Sequence, residues 1–218
     1  MAEETTEKNA SRPDDAGRLI VSSSPHFLKD ESIPKIMHTV VMALVPACAA
    51  SVYFFGLRPL LLLVVCVTAS LVTEYLVQRW RGRPIRVYDG SAIITGILLA
   101  LTLPPSFPLF GAGLGAAFAV GVGKQLFGGL GYNIFNPALL GRAFLQATYP
   151  VLITTWTSPR TVAATVDAVS AATPLALMKF EGKMTPIMDL LTGNVAGSMG
   201  ETSVIAILIG GLYLRYKG

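Results

Sequence analysis

Cysteine and histidine are nearly absent from this sequence, two of each in 218 residues. Cys48 and Cys66 stand in separate apolar blocks without a CxxC spacing. No disulfide or thiolate metal site is expected, and each reads as a small buried hydrophobe. His26 and His38 have no metal-ligand neighbour at helical spacing, and His38, at the start of the first apolar block, caps or lines it. No metal site and no catalytic side chain are therefore expected. Charge is also scarce, at 14% of residues. The net charge of +4 is not a nucleic-acid signal, because the positive residues sit between apolar blocks, where they set membrane orientation. The first ~30 residues are polar and include Glu3, Glu4, Asp14 and Asp15, unlike a secretory signal peptide. No internal repeat appears at periods of about 20–50 residues.

What is present is hydrophobic length. Hydrophobic residues make up 52% of the chain and the mean hydropathy is +0.58. Apolar runs of membrane-spanning length recur. The expected class is an all-α polytopic membrane protein with about six hydrophobic segments. Residues 1–32 read as a cytoplasmic tail, 33–156 as membrane helices, 157–201 as a long polar loop, and 202–218 as the start of a further membrane helix.

The first span is expected over about Ile36–Phe55, stopped by Gly56, with Arg58 in the turn and a second helix over about Pro59–Val77. Glu74 near its end reads as an interfacial acid paired with Arg79, Arg81, Arg83 and Arg86, with an ion site as the alternative. Asp89 or Ser91 caps the next apolar stretch, which meets Pro104-Pro105 too soon for a straight span. A half-helix or re-entrant segment fits, and such breaks require cover from protein or a cavity. They mark binding regions in transporters, and here suit a cofactor pocket equally well. Leu109–Leu130 is a span rich in Gly and Ala, suited to close helix packing or to a flat ligand. Lys124 is expected to snorkel toward the inner interface. Asn136 and Pro137 read as N-cap and first residue of a helix running to about Trp156. Arg142, deep in that helix, needs an anionic phosphate, a carboxylate, backbone carbonyls or an interfacial snorkel. The run Gly193–Ser203 is turn-like and either approaches a ligand through its backbone or is a flexible connection.

With the N-terminus and residues 79–88 placed in the cytoplasm, four of the 17 Lys and Arg fall outside: Arg58, Arg160, Lys179 and Lys183. The remaining 13 lie inside or face inward, as positive-inside orientation requires. The 157–201 loop is then extracytoplasmic.

That loop contains Asp167-Ala168-Val169-Ser170-Ala171-Ala172-Thr173-Pro174. Pro174 pushes Thr173 toward extended geometry, and small neighbours leave its hydroxyl accessible. The stretch resembles the flavinylation motif D-x-x-[ST]-[GA]-A-T, matched by Asp167, Ser170, Ala171, Ala172 and Thr173. A loop whose Ser and Thr bond only local backbone is the alternative. Asp89–Pro104, Gly131–Phe144 and Gly197–Ser203 extend the likeness in the same order. From about residue 20 onward the chain resembles the D subunits of Rnf complexes, which are similar to the B subunit of the Na⁺-translocating NADH:quinone reductase.

The resemblance implies a membrane electron-transfer subunit of an ion-motive ferredoxin:NAD⁺ oxidoreductase, in a bacterial or archaeal cytoplasmic membrane. It implies FMN esterified to Thr173 by a separate Mg²⁺-dependent flavin transferase, a second, non-covalent flavin such as riboflavin, and a flavin phosphate among the candidate partners of Arg142. Partners would be the other Rnf-type subunits, and the chain alone would not be a complete enzyme. The family has a second set of helices completing an inverted-repeat, transporter-like fold. This chain ends where that set starts, so it is expected to be a truncated or split subunit holding half of that fold. A solute transporter or channel without covalent flavin is the rival reading, and a purely structural scaffold a third.

Overall fold

The computed structural model describes residues 32–159 and 171–217, which form helices joined by short connections. Helix α1 (Ile33–Phe55) begins with Pro34 in its first turn, where the missing N–H would have no partner in any case. One residue, Gly56, joins α1 to α2 (Leu57–Trp80). Its φ of +81° and ψ of −150° belong to glycine, and its N–H donates to the Val52 carbonyl at 2.8 Å. The turn is therefore tighter than expected, and Arg58 lies inside α2. Both helices are long and apolar enough to cross a membrane.

Helix α3 (Ser91–Leu101) is the short segment anticipated before the double proline. Asp89 Oδ1 accepts from the Ser91 N–H at 2.9 Å and from its hydroxyl at 2.6 Å, holding the helix start. Helix α4 (Leu109–Val120) ends sooner than expected and passes into a π-helical turn, Gly121–Gln125. Helix α5 (Pro137–Thr148) stops where Pro150 removes an N–H, and a single turn, α6 (Pro150–Thr154), follows at a new angle. Two short helices, α7 (Pro174–Ala176) with a π turn over Leu177–Glu181 and α8 (Ile187–Thr192), occupy the expected loop. Helix α9 (Val204–Lys217) closes the described chain.

Small residues set how closely the helices meet. A Cβ on Gly96 of α3 would sit 2.7 Å from Val67 Cα of α2. One on Gly141 of α5 would lie 2.9 Å from the Gly115 carbonyl of α4. At these two sites the glycines serve close packing, as in helix pairs within membranes. The core they bring together includes Leu62, Cys66, Leu99, Leu103, Phe107 and Leu145, all fully buried. The outer faces carry Met42, Leu61, Val64, Phe110 and Leu212 in the open. An apolar exterior of this extent suits hydrocarbon and would be a liability in water.

Candidate functional site

Thr173 has φ −67° and ψ 156°, the extended conformation that the following proline imposes. Its Oγ1 accepts from the Ala176 N–H at 3.3 Å, so it caps α7 with a lone pair and retains its proton. The side chain is half-buried and lines a cavity of about 410 Å³ shared with Thr154, Trp156, Ala171 and Ala172. The Ala171 N–H donates to the Trp156 carbonyl at 2.9 Å, fixing the approach to the threonine. Asp167 and Ser170 lie outside the described residues. Farther along the same loop, the ammonium of Lys183 is held above the ordinary lysine range by the hydrogen bond and charge of Glu181, 2.8 Å away.

Arg142 reaches across to the end of the broken helix, where its Nη1 donates to the Thr102 carbonyl. The same end is met by the glycine-rich run. The Gly200 N–H donates to the Leu101 carbonyl at 2.8 Å and the Met199 N–H to the Leu103 carbonyl at 3.2 Å. The run thus approaches protein backbone closely, and three carbonyls exposed by the helix break gain donors from elsewhere in the fold. Asn136 Oδ1 accepts from the Ala138 N–H at 3.0 Å, the cap expected at the head of α5. That cap and the following proline start the helix that aims Arg142.

The Arg142 contact yields a stability prediction. Arg142→Ala should lower stability by about 1.5–3 kcal/mol, the range for a hydrogen bond to a charged group. Thermal unfolding in detergent measures this, and an unchanged midpoint would make Arg142 a snorkelling residue.

A second polar cluster corrects the reading of Glu74 and Lys124. Glu74 is not paired with the arginines that follow it, and Lys124 does not snorkel. Both are 1% exposed, and Lys124 Nζ lies 2.6 Å from Glu74 Oε1. Gln125 Nε2 donates to the same oxygen at 2.7 Å and Gln78 Nε2 at 3.2 Å. Lys124 also donates to the Ser91 hydroxyl, which bonds Asp89. The π turn explains the geometry, since Lys124 and Gln125 lie at its end and both face Glu74. The signal was present in the sequence: Glu74 and Asp89 are the only acids between residues 32 and 166. A lone acid and a lone lysine in separate apolar helices each call for a charged partner.

Residues 20–218 match the family model described as the NQR2, RnfD, RnfE family. The D subunit of the proton-translocating ferredoxin:NAD(+) oxidoreductase complex of Clostridium ljungdahlii is 42% identical over 228 aligned residues, covering 100% of this chain and 66% of that protein. The D subunit of the Na(+)-translocating ferredoxin:NAD(+) oxidoreductase complex of Acetobacterium woodii is 48% identical over 205 residues, covering 92% of this chain and 63% of that protein. The D subunit of the ion-translocating oxidoreductase complex of Shewanella amazonensis is 34% identical over 225 residues, covering 89% and 65%. The chain thus spans 63–66% of the length of these relatives. With the match to the family model running over nearly its whole length, the chain belongs to the NQR2, RnfD, RnfE family.

Proposed function

We propose that this chain is a membrane-embedded electron-transfer subunit of an Rnf-type, ion-translocating ferredoxin:NAD⁺ oxidoreductase, with FMN esterified to Thr173. The observation that carries the reading is the Asp167–Thr173 motif ending on a threonine in extended geometry. Family membership and the D-subunit names of the relatives support the complex.

The residues present suit a phosphoester. The Thr173 hydroxyl keeps its proton while its oxygen accepts one hydrogen bond. Ala171 and Ala172 put only methyl groups beside it, and the adjacent cavity leaves room for a bulky substituent. In the attachment step, Thr173 Oγ1 bonds to the FMN phosphorus of FAD. The pyrophosphate P–O bond breaks, AMP leaves, and the threonine proton passes to the transferase. The bound flavin supplies electron transfer through its ring system. Thr173 holds the phosphate end, away from that ring, so its role is permanent retention and positioning. An electron carrier facing the extracytoplasmic side would otherwise be lost.

In this reading α1, α2, the broken α3, α4, α5 and α9 are the hydrophobic segments of half an inverted-repeat fold in the cytoplasmic membrane. The Thr173 loop is extracytoplasmic. Lys183 is well exposed, so a cysteine placed there should react with a membrane-impermeant thiol reagent in intact cells. Labelling only after permeabilisation would reverse the orientation. The flavin itself is tested by fluorescence of the denatured protein band from native membranes. A fluorescent band supports the proposal, and a dark band favours a transporter or channel.

A further inference from the structure

A cavity of about 740 Å³ lies between the start of α1 and the end of α2. These helices have 23 and 24 residues, about 35 Å each at the α-helical rise. As membrane spans, they place their ends at the level of the lipid headgroups. The cavity therefore stands where a headgroup can enter it from the bilayer.

Its wall is charged and apolar at once. Arg83 and Arg86 line it and are exposed, and Arg83 Nη1 is steadied by the Gly128 carbonyl at 2.8 Å. Glu74 lines it from below. Its Oε1 takes the three donors described above, but its Oε2 is buried with no partner among the described residues. Gln78 links the two regions: its Oε1 accepts from the Arg86 N–H at 2.8 Å, and its Nε2 reaches Glu74. Ile33, Ile85, Leu130 and Tyr132 complete an apolar and aromatic lining.

Each feature narrows the ligand. Two arginines select a phosphate. The orphaned carboxylate oxygen calls for an O–H or N–H donor, because a buried acceptor left bare is costly. Glu74 is already paired with Lys124, so Arg83 and Arg86 in the lining are left to take an anion. The apolar lining and the headgroup depth select an amphiphile. We propose that this cavity binds an anionic phospholipid with a hydroxyl-bearing headgroup, its phosphate on Arg83 and Arg86 and its hydroxyl donating to Glu74 Oε2. The proposal rests on α1 and α2 being membrane spans and is independent of the flavin.

The test uses the full chain in phosphatidylcholine nanodiscs doped with one second lipid, followed by native mass spectrometry of retained lipid. Phosphatidylglycerol should be retained over phosphatidylcholine by about fivefold or more per arginine engaged. Phosphatidylmethanol, with the same charge but no headgroup hydroxyl, should be retained less than phosphatidylglycerol. Phosphatidylethanolamine, neutral overall, should also fall below it. Arg83→Gln with Arg86→Gln should remove the preference while circular dichroism stays unchanged. Equal retention of all four lipids would overturn the proposal. So would equal retention of phosphatidylglycerol and phosphatidylmethanol, or displacement of the lipid by inorganic phosphate. The lipid series on the unsubstituted protein decides the matter even if the double variant fails to fold.

Discussion

Lys124→Met is expected to destabilise the protein by about 3–5 kcal/mol, the loss found when one partner of a buried ion pair is removed. The ammonium contacts both Glu74 and Ser91, and all three side chains are buried. Without it, the Glu74 carboxylate keeps only the two glutamine amides, and the Ser91 hydroxyl loses its donor. Adding Glu74→Leu should recover most of the loss, because replacing both members of such a pair with apolar residues is often neutral or stabilising. Gln78 and Gln125 then lose their shared acceptor, which keeps the recovery from being complete. Unfolding in a graded SDS titration, followed by circular dichroism, gives the three values needed for the cycle. If Lys124→Met costs under about 1 kcal/mol, or if the two losses simply add, the residues are not coupled as the geometry requires.

Local chemistry was readable in the sequence, and long-range pairing was not. The Asn136–Pro137 cap, the short α3 before Pro104 and the extended Thr173 before Pro174 follow from sterics within a few residues. The same holds for Gly56 as a helix stop, although the turn proved shorter than expected. Lys124 differs because its partner lies 50 residues away. Its placement depends on how α2 and the π turn beside α4 meet, and no local pattern carries that. Nothing local in Gly121-Val122-Gly123-Lys124-Gln125 marks the π turn, since its two glycines fit either helical winding. Pro150 is a visible breaker, masked by the apolar run that continues beyond it. The partner of Arg142 was readable only as a set of candidates until the fold brought the Thr102 carbonyl within reach.

The second large expected effect is complete loss of covalent flavin in Thr173→Ala. A phosphoester requires a nucleophilic oxygen, and alanine has none. The substitution also removes the cap that Oγ1 provides to α7, at a cost of about 0.5–2 kcal/mol. Because α7 is a three-residue turn outside the packed core, the membrane helices should remain folded. Thr173→Ser keeps both the hydroxyl and the cap, so it should retain part of the flavin. Ser170→Ala should weaken recognition by the transferase without removing the acceptor.

The most direct test is mass spectrometry of the tryptic peptide of residues 161–179, released by cleavage after Arg160 and Lys179. The account predicts a peptide heavier by FMN less one water, with fragment ions placing the added mass on Thr173. An unmodified peptide from native membranes, or an adduct on another residue, would contradict it.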